Sequence, residues 1–281
     1  MAAHLRRRCA GCWPLLLGWA VGAALAGSAV AAESVPGGLH LHPLPDGVRA
    51  VRYQDQPVLI FTEVAVVGIN LDAKPGAHVL TIEYEDGRTE SRHFTVADKR
   101  YTEQHLTIAN PRMVNPLAED LERIGRESAL MAAQYRLFTE PPGSPLPFVQ
   151  PVDGPLSSSF GRRRVLNGER RSAHSGLDIA VNTGTPVESP APGKVTLTGD
   201  FYFNGNTVFV DHGFGLISMM CHLSRIDVAT GENVQRGHTL GLVGATGRVT
   251  GPHLHWSVSM NGNRVDPVQV MAVFREPPAA P

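Results

Sequence analysis

Apolar and polar positions change their period twice along this chain of 281 residues. Between residues 33 and 110 the apolar positions fall in short β-branched runs, Val58-Leu59-Ile60-Phe61 and Val64-Ala65-Val66-Val67. An alternating stretch, His78-Val79-Leu80-Thr81-Ile82-Glu83-Tyr84, then turns at Asp86-Gly87 and is answered by His93-Phe94-Thr95-Val96. This is strand and hairpin patterning, and it predicts a small immunoglobulin-like β-domain. No chemical motif interrupts it, since His78, His93 and His105 stand singly, so binding, spacing or inhibition is its expected work. From residue 111 to 147 the period lengthens. Leu117, Leu121, Ile124, Ser128, Met131, Tyr135 and Phe138 recur in steps of four and three, which marks one buried helical face. Asn115 is the expected N-cap, with Pro116 at the first helical position. Pro141-Pro142-Gly143-Ser144-Pro145-Leu146-Pro147 follows as a stiff linker. Between residues 148 and 275 the short period returns in Lys194-Val195-Thr196-Leu197-Thr198, Thr207-Val208-Phe209-Val210, Leu216-Ile217-Ser218-Met219-Met220 and Trp256-Ser257-Val258-Ser259. Asn204-Gly205-Asn206, Gly213-Phe214-Gly215 and Asn261-Gly262 supply turns. The fold expected is mainly β, with an antiparallel sheet in the last domain.

Residues 1–32 read as an export signal. Arg6-Arg7-Arg8 precedes an apolar run from Leu15 to Leu25, and Ser28-Ala29-Val30-Ala31-Ala32 suits cleavage near Ala31 or Ala32; an uncleaved anchor is the alternative. Cys9 and Cys12 precede the apolar run and do not make a lipoprotein attachment site. After the signal Cys221 is the only cysteine, so no internal disulfide supports the exported part. Charge says little about partners. The chain has 25 basic and 26 acidic residues, the signal holds three of the arginines, and the remainder is 22 minus 26, or −4. No basic stripe or aromatic ladder suggests nucleic acid. Arg162-Arg163-Arg164 and Arg170-Arg171 are read as a solvated loop, with a substrate carboxylate as the alternative partner. No stable membrane partner is expected.

The chemistry concentrates in His174-Ser175-Gly176-Leu177-Asp178, Cys221-His222-Leu223-Ser224 and Pro252-His253-Leu254-His255. Residues two apart on a strand share a face, so His174, Gly176 and Asp178 point one way, with glycine leaving open space between them. The same rule sets His253 beside His255 and directs Leu254 to a core. Several imidazoles desolvated together need partners. Two of them with one carboxylate around a metal, and a position left for water, make a hydrolytic rather than a closed structural site.

These residues also carry a resemblance. Ser159-Phe160-Gly161, His174 to Asp178, Gly184-Thr185-Pro186-Val187, Ala191-Pro192-Gly193-Lys194-Val195, Asp211-His212-Gly213, His222-Leu223-Ser224, Gly244-Ala245-Thr246-Gly247 and Gly251 to His255 occur in an order similar to the lysostaphin-type (LytM) zinc endopeptidases of bacterial cell walls, over residues 154–267. The resemblance implies one Zn2+ per chain, held by His174, Asp178 and His255, with His222 and His253 as non-ligand catalytic histidines. Cys221 departs from the small residue common in the family and bears on substrate fit. The implied activity is hydrolysis of peptidoglycan cross-links, D-Ala–meso-diaminopimelate before pentaglycine, in the periplasm. A regulatory or adaptor protein is a further expected partner. The competing expectation is a non-catalytic relative that activates a wall amidase. The N-terminal half is expected to restrain the groove through its tether.

Overall fold

The computed structural model describes residues 33–275, and the export signal expected at residues 1–32 lies outside them. Strands Leu39–Pro43, Val64–Gly68 and Leu59–Phe61 form one antiparallel sheet. Gln56–Pro57, Val48–Tyr53, Gly76–Tyr84 and Thr89–Val96 form a second. The hairpin expected around Asp86-Gly87 is present, with His78 opposite Phe94 and Leu80 opposite Arg92. Its inward residues Leu80, Ile82, Phe94 and Val96 meet Val51 and Tyr53 of the same sheet and Ala65 and Val67 of the other. A small two-sheet sandwich results.

Val64–Gly68 serves two cores at once. Successive side chains of a strand point to opposite sides. Ala65 and Val67 therefore enter the sandwich core. Val66 faces away and joins Leu39 and Leu59 in a larger core with Phe148, Leu177, Trp256 and Val258. Gly68 ends the strand against the turn at Asn261, whose side chain accepts from Gly68 N at 2.6 Å and donates to Gly68 O at 3.0 Å. A Cβ there would lie 2.7 Å from Met260 O, so this approach requires glycine.

The C-terminal part is a ten-stranded, antiparallel sheet. Gly193–Phe201, Gly205–Asp211, Ile217–Ile226, Leu254–Met260, Leu177–Ile179 and Leu156–Ser158 run side by side in that order. One face buries Leu177, Ile179, Met220, Leu254, Trp256 and Val258. The other face carries the site.

The helix differs from expectation in its start and in its packing. It spans Ala118–Gln134, because Asn115 is engaged elsewhere. Its Oδ1 accepts from Arg171 Nη2 at 2.7 Å, and its Nδ2 donates to Glu169 Oε1 at 2.6 Å. Asp120 supplies the cap instead, accepting from Leu117 N at 3.0 Å. Of the periodic apolar face, Tyr135 is buried, whereas Leu117 and Leu121 are 51% and 57% exposed and Phe138 is 40% exposed. Much of the anchoring is polar: Arg112 grips Asp120 through two bonds of 2.7 Å, and Glu127 accepts from Tyr202 N at 2.7 Å.

Trp256 is the only tryptophan after residue 32, and it shares a core with Leu59 of the N-terminal sheet. Leu59→Ala should cost about 2–5 kcal/mol, the range for a buried leucine. Urea unfolding followed by Trp256 fluorescence and by far-ultraviolet dichroism should give one coincident transition at a lower midpoint. Two separate transitions would show that the halves unfold independently.

Candidate metal centre

Sheet register brings the first residues of the site together. Asp178 pairs with His255 across Leu177–Ile179 and Leu254–Met260, and His255 pairs with Cys221 on the next strand. His174 precedes this sheet in a loop pinned by Gly161 N to His174 O at 2.7 Å and His174 N to Arg162 O at 2.8 Å. His174 Nε2, Asp178 Oδ1 and His255 Nδ1 then stand 2.8–3.0 Å from one another, and all three residues are buried. Gly176 does not leave open space between its neighbours. The His255 ring fills it, and a Cβ on residue 176 would come within 2.8 Å of that ring.

The protons of these imidazoles are fixed from outside the cluster. His174 Nδ1 lies 2.9 Å from the Ser159 carbonyl, which can only accept, so Nδ1 carries the hydrogen. Ser257 Oγ donates to Ser175 O at 2.7 Å, so it accepts from His255 Nε2 at 2.9 Å. Two imidazole lone pairs and a carboxylate oxygen therefore converge with no proton between them. Such a set suits a metal cation. A tetrahedral zinc site with bonds of about 2.0–2.2 Å has ligand edges of roughly 3.3 Å, so slight spreading of the triangle admits the ion. The donor set fits a metal, and burial helps by pushing His255 down to about 4, which favours the neutral imidazole that a metal needs.

His222 reaches the site through a distortion of its strand. On Ile217–Ile226, Ile217, Met219 and Cys221 share the face of His255, while Met220 and Leu223 enter the opposite core. Simple alternation would send His222 to the core with Met220. The register with Gly205–Asp211 slips instead, from Val208↔Met220 to Asn206↔Leu223, so Cys221 and His222 together oppose one residue. That is a β-bulge, and His222 takes φ +63° within it, a conformation costing about 1–3 kcal/mol for a non-glycine residue. Its Nδ1–H donates to Thr246 O at 2.8 Å. Burial first, then His255 and His253, push its pKa down to about 3. His253 donates from Nδ1 to Gly251 O at 2.9 Å, and its Nε2 is 3.7 Å from Asp178 Oδ1. The His222 and His253 rings are 4.9 Å apart. All five singled-out residues meet in one place.

Two neighbours of the site escaped the sequence reading. Arg164 is not a solvated loop residue. It lies in strand Arg163–Leu166, which runs parallel to Glu103–Leu106, and donates from Nη2 to Asp178 Oδ2 at 2.9 Å. Nothing in local spacing announces this contact. Ser257 could have been found, since it stands two residues from His255 and shares its face.

A strap of residues 101–115 lies alongside. Strand Glu103–Leu106 pairs with Arg163–Leu166, and Gln104 Oε1 accepts from Ser158 Oγ at 3.0 Å. Asn167 holds Ile108 from both sides, at 2.8 and 3.0 Å. Arg171 and Arg248 donate to the carbonyls of Val114 and Met113. Ile108, Val114 and Leu166 form a small core of their own.

Comparison with known proteins places this geometry. Residues 172–267 match the model of peptidase family M23, and residues 32–99 match that of the family's N-terminal domain. A crystal structure described as a putative peptidase M23 from Pseudomonas aeruginosa superposes with a TM-score of 0.72 at 45% identity, covering 87% of this chain and 98% of that one. The chain belongs to peptidase family M23. Its catalytic region is also 42% identical over 119 residues to the peptidoglycan DD-endopeptidase ShyA of Vibrio cholerae, covering 41% of this chain and 28% of ShyA. It is 43% identical over 117 residues to the DD-carboxypeptidase/endopeptidase Mpg of Neisseria meningitidis, covering 41% and 26%. The match thus spans about a quarter of each of these curated relatives.

The proton assignment of the family site is open to a direct check. Ser257→Ala removes the acceptor that orients His255, which should weaken metal binding about 10–100-fold and leave the fold intact. Chelator competition on the purified variant and its parent measures this. Equal affinities would discount the role given to Ser257.

Proposed function

We propose that this chain is a zinc-dependent endopeptidase that hydrolyses peptide cross-links of peptidoglycan, with D-Ala–meso-diaminopimelate as the bond cut. The observation that carries this reading is the convergence of His174 Nε2, Asp178 Oδ1 and His255 Nδ1 with no proton among them, beside two further imidazoles. His174, Asp178 and His255 would hold the ion. When bound, zinc supplies Lewis-acid polarisation of a carbonyl and makes water acidic near neutral pH. His222 and His253 each spend Nδ1–H on a backbone carbonyl, so each offers an Nε2 lone pair as a base. Once protonated, the same nitrogens donate to a developing oxyanion or to the leaving amine. Arg164 holds the second oxygen of Asp178 and keeps the carboxylate turned.

The names of ShyA and Mpg support a wall substrate, and the export signal read at residues 1–32 fits action in the periplasm. No helix among the described residues is long and apolar enough to cross a membrane. The regulator reading loses ground because no position of the five is missing. A regulatory protein would find its natural target in the strap.

Zinc-loaded protein should convert cross-linked muropeptide dimers to monomers and stop when a chelator removes the metal. His174→Ala, Asp178→Ala and His255→Ala should lose zinc and turnover together. His222→Ala and His253→Ala should keep zinc and lose about 10²–10⁴-fold in rate. Metal analysis and dimer turnover on the five variants decide the matter; a metal-free His253→Ala with a loaded His255→Ala would reverse the pair.

The restraint expected of the N-terminal half has a specific handle in Asn167. At φ +50° glycine is tolerated, so Asn167→Gly removes both side-chain bonds to Ile108 without disturbing the turn. Two such bonds contribute about 0.5–1.5 kcal/mol each, so turnover of soluble dimers should rise roughly five- to a hundredfold. Unchanged turnover would remove the strap from the list of restraints.

A further inference from the structure

Arg248 has more donors than the protein gives it partners. It lies on the loop between Thr246, whose carbonyl holds the His222 ring, and His253. Its backbone N–H donates to Phe203 O at 2.8 Å, and its guanidinium sits 4.3 Å over the Phe203 ring. The fork of five N–H groups makes one long side-chain bond, to Met113 O at 3.4 Å. Among the described residues Arg248 has no carboxylate within salt-bridge distance, unlike Arg164 with Asp178 and Arg171 with Glu169. Burial, followed by the charges of Arg164 and Arg171, pushes it down to about 10. Arg164 adds a second unused donor, since its Nε is buried without a hydrogen-bond partner. Partly buried guanidinium groups with idle donors are costly unless something pairs with them. A solvated surface role explains neither residue.

We propose that Arg248, in the positive field of Arg164 and Arg171, binds a substrate carboxylate carried on the carbon that bears the scissile nitrogen. This deepens the hydrolase reading and rests on it. In a cross-link from D-alanine to the amine of the diaminopimelate D-centre, the carbon attached to that nitrogen also carries a carboxylate. A glycine bridge has none at that position. A planar guanidinium engages a carboxylate through two parallel bonds, which fixes the leaving-amine side of the bond beside the histidines. The carbonyls of Met113 and Val114 on the strap are neutral stand-ins for that anion, touching Arg248 and Arg171. Lifting the strap and admitting the carboxylate are then one exchange.

The test uses two cross-linked muropeptide dimers that differ only at this carboxylate, free in one and amidated in the other. They are compared on the zinc-loaded chain from residue 33 and on its Asn167→Gly form. The free acid should be favoured about 10–100-fold in kcat/KM, the range for a hydrogen bond to a charged group. In the Asn167→Gly form, where the strap is already released, Arg248→Gln should bring the free acid down to the rate of the amide, while Arg248→Lys retains part of the preference. Binding of both dimers to zinc-loaded His253→Ala, with and without Arg248→Gln, is measured by calorimetry alongside. A preference that survives Arg248→Gln, or an equal change for both dimers (a rise being what a purely strap-holding arginine would give), overturns the proposal. Carboxylate-selective binding that needs Arg248, without cleavage of either dimer, supports the subsite and retires the hydrolase reading. Cleavage of both dimers at equal rates does the reverse.

Discussion

Everything at the functional face depends on where four imidazoles keep their hydrogens. His174, His222, His253 and His255 each present an outer nitrogen to an acceptor of the protein: the carbonyls of Ser159, Thr246 and Gly251, and the Ser257 hydroxyl. Each inner nitrogen is then a lone pair. Four lone pairs and the Asp178 carboxylate facing one small volume would repel one another if left alone. The surrounding scaffold is what holds them there: the register of Leu177–Ile179 with Leu254–Met260, the loop pinned at His174 and the bulge at His222. Low dielectric strengthens both the repulsion without an ion and the attraction with one. Metal affinity and local strain are two views of one arrangement.

The same scaffold separates residues of like chemistry. His255 and His253 are two apart in sequence, yet His255 Nδ1 is 2.8 Å from Asp178 Oδ1 while His253 Nε2 stands at 3.7 Å. His253 forms only an isolated bridge with Gly244 ahead of the regular strand, so its ring enters from a loop. His222 comes from the other side on its bulge. His255 is thus embedded in the sheet, whereas His253 enters from a loop and His222 from a bulge within its strand.

How much of this was legible follows from the range of each signal. The His-x-x-x-Asp and His-x-His spacings could be read because strand geometry has a period of two and acts within a few residues. The hairpin at Asp86-Gly87 could be read for the same reason. The aim of His222 could not, since parity alone assigns it to the core and the bulge arises from a two-against-one pairing with a separate strand. Arg164 was misread as solvated because its partner Asp178 stands on a strand of a different sheet. The helical period was borne out over Ala118–Gln134, with Leu117 and Phe138 beyond its ends, but periodicity does not show how broad a surface awaits it. The strap carries no motif, and its meaning lies wholly in what it touches.

The strand Val64–Gly68, with Ala65 and Val67 on one side and Val66 on the other, restricts how the molecule can move. A module joined through a strand interior to both cores cannot pivot as a lid without exposing apolar surface on each side. Opening at low cost is therefore confined to the strap, whose bonds are short-range and arranged in series from Gln104 to Asn115. Such a segment yields by peeling from one end, as a zip does, rather than by shearing all at once. The direction of a pull would matter more than its strength.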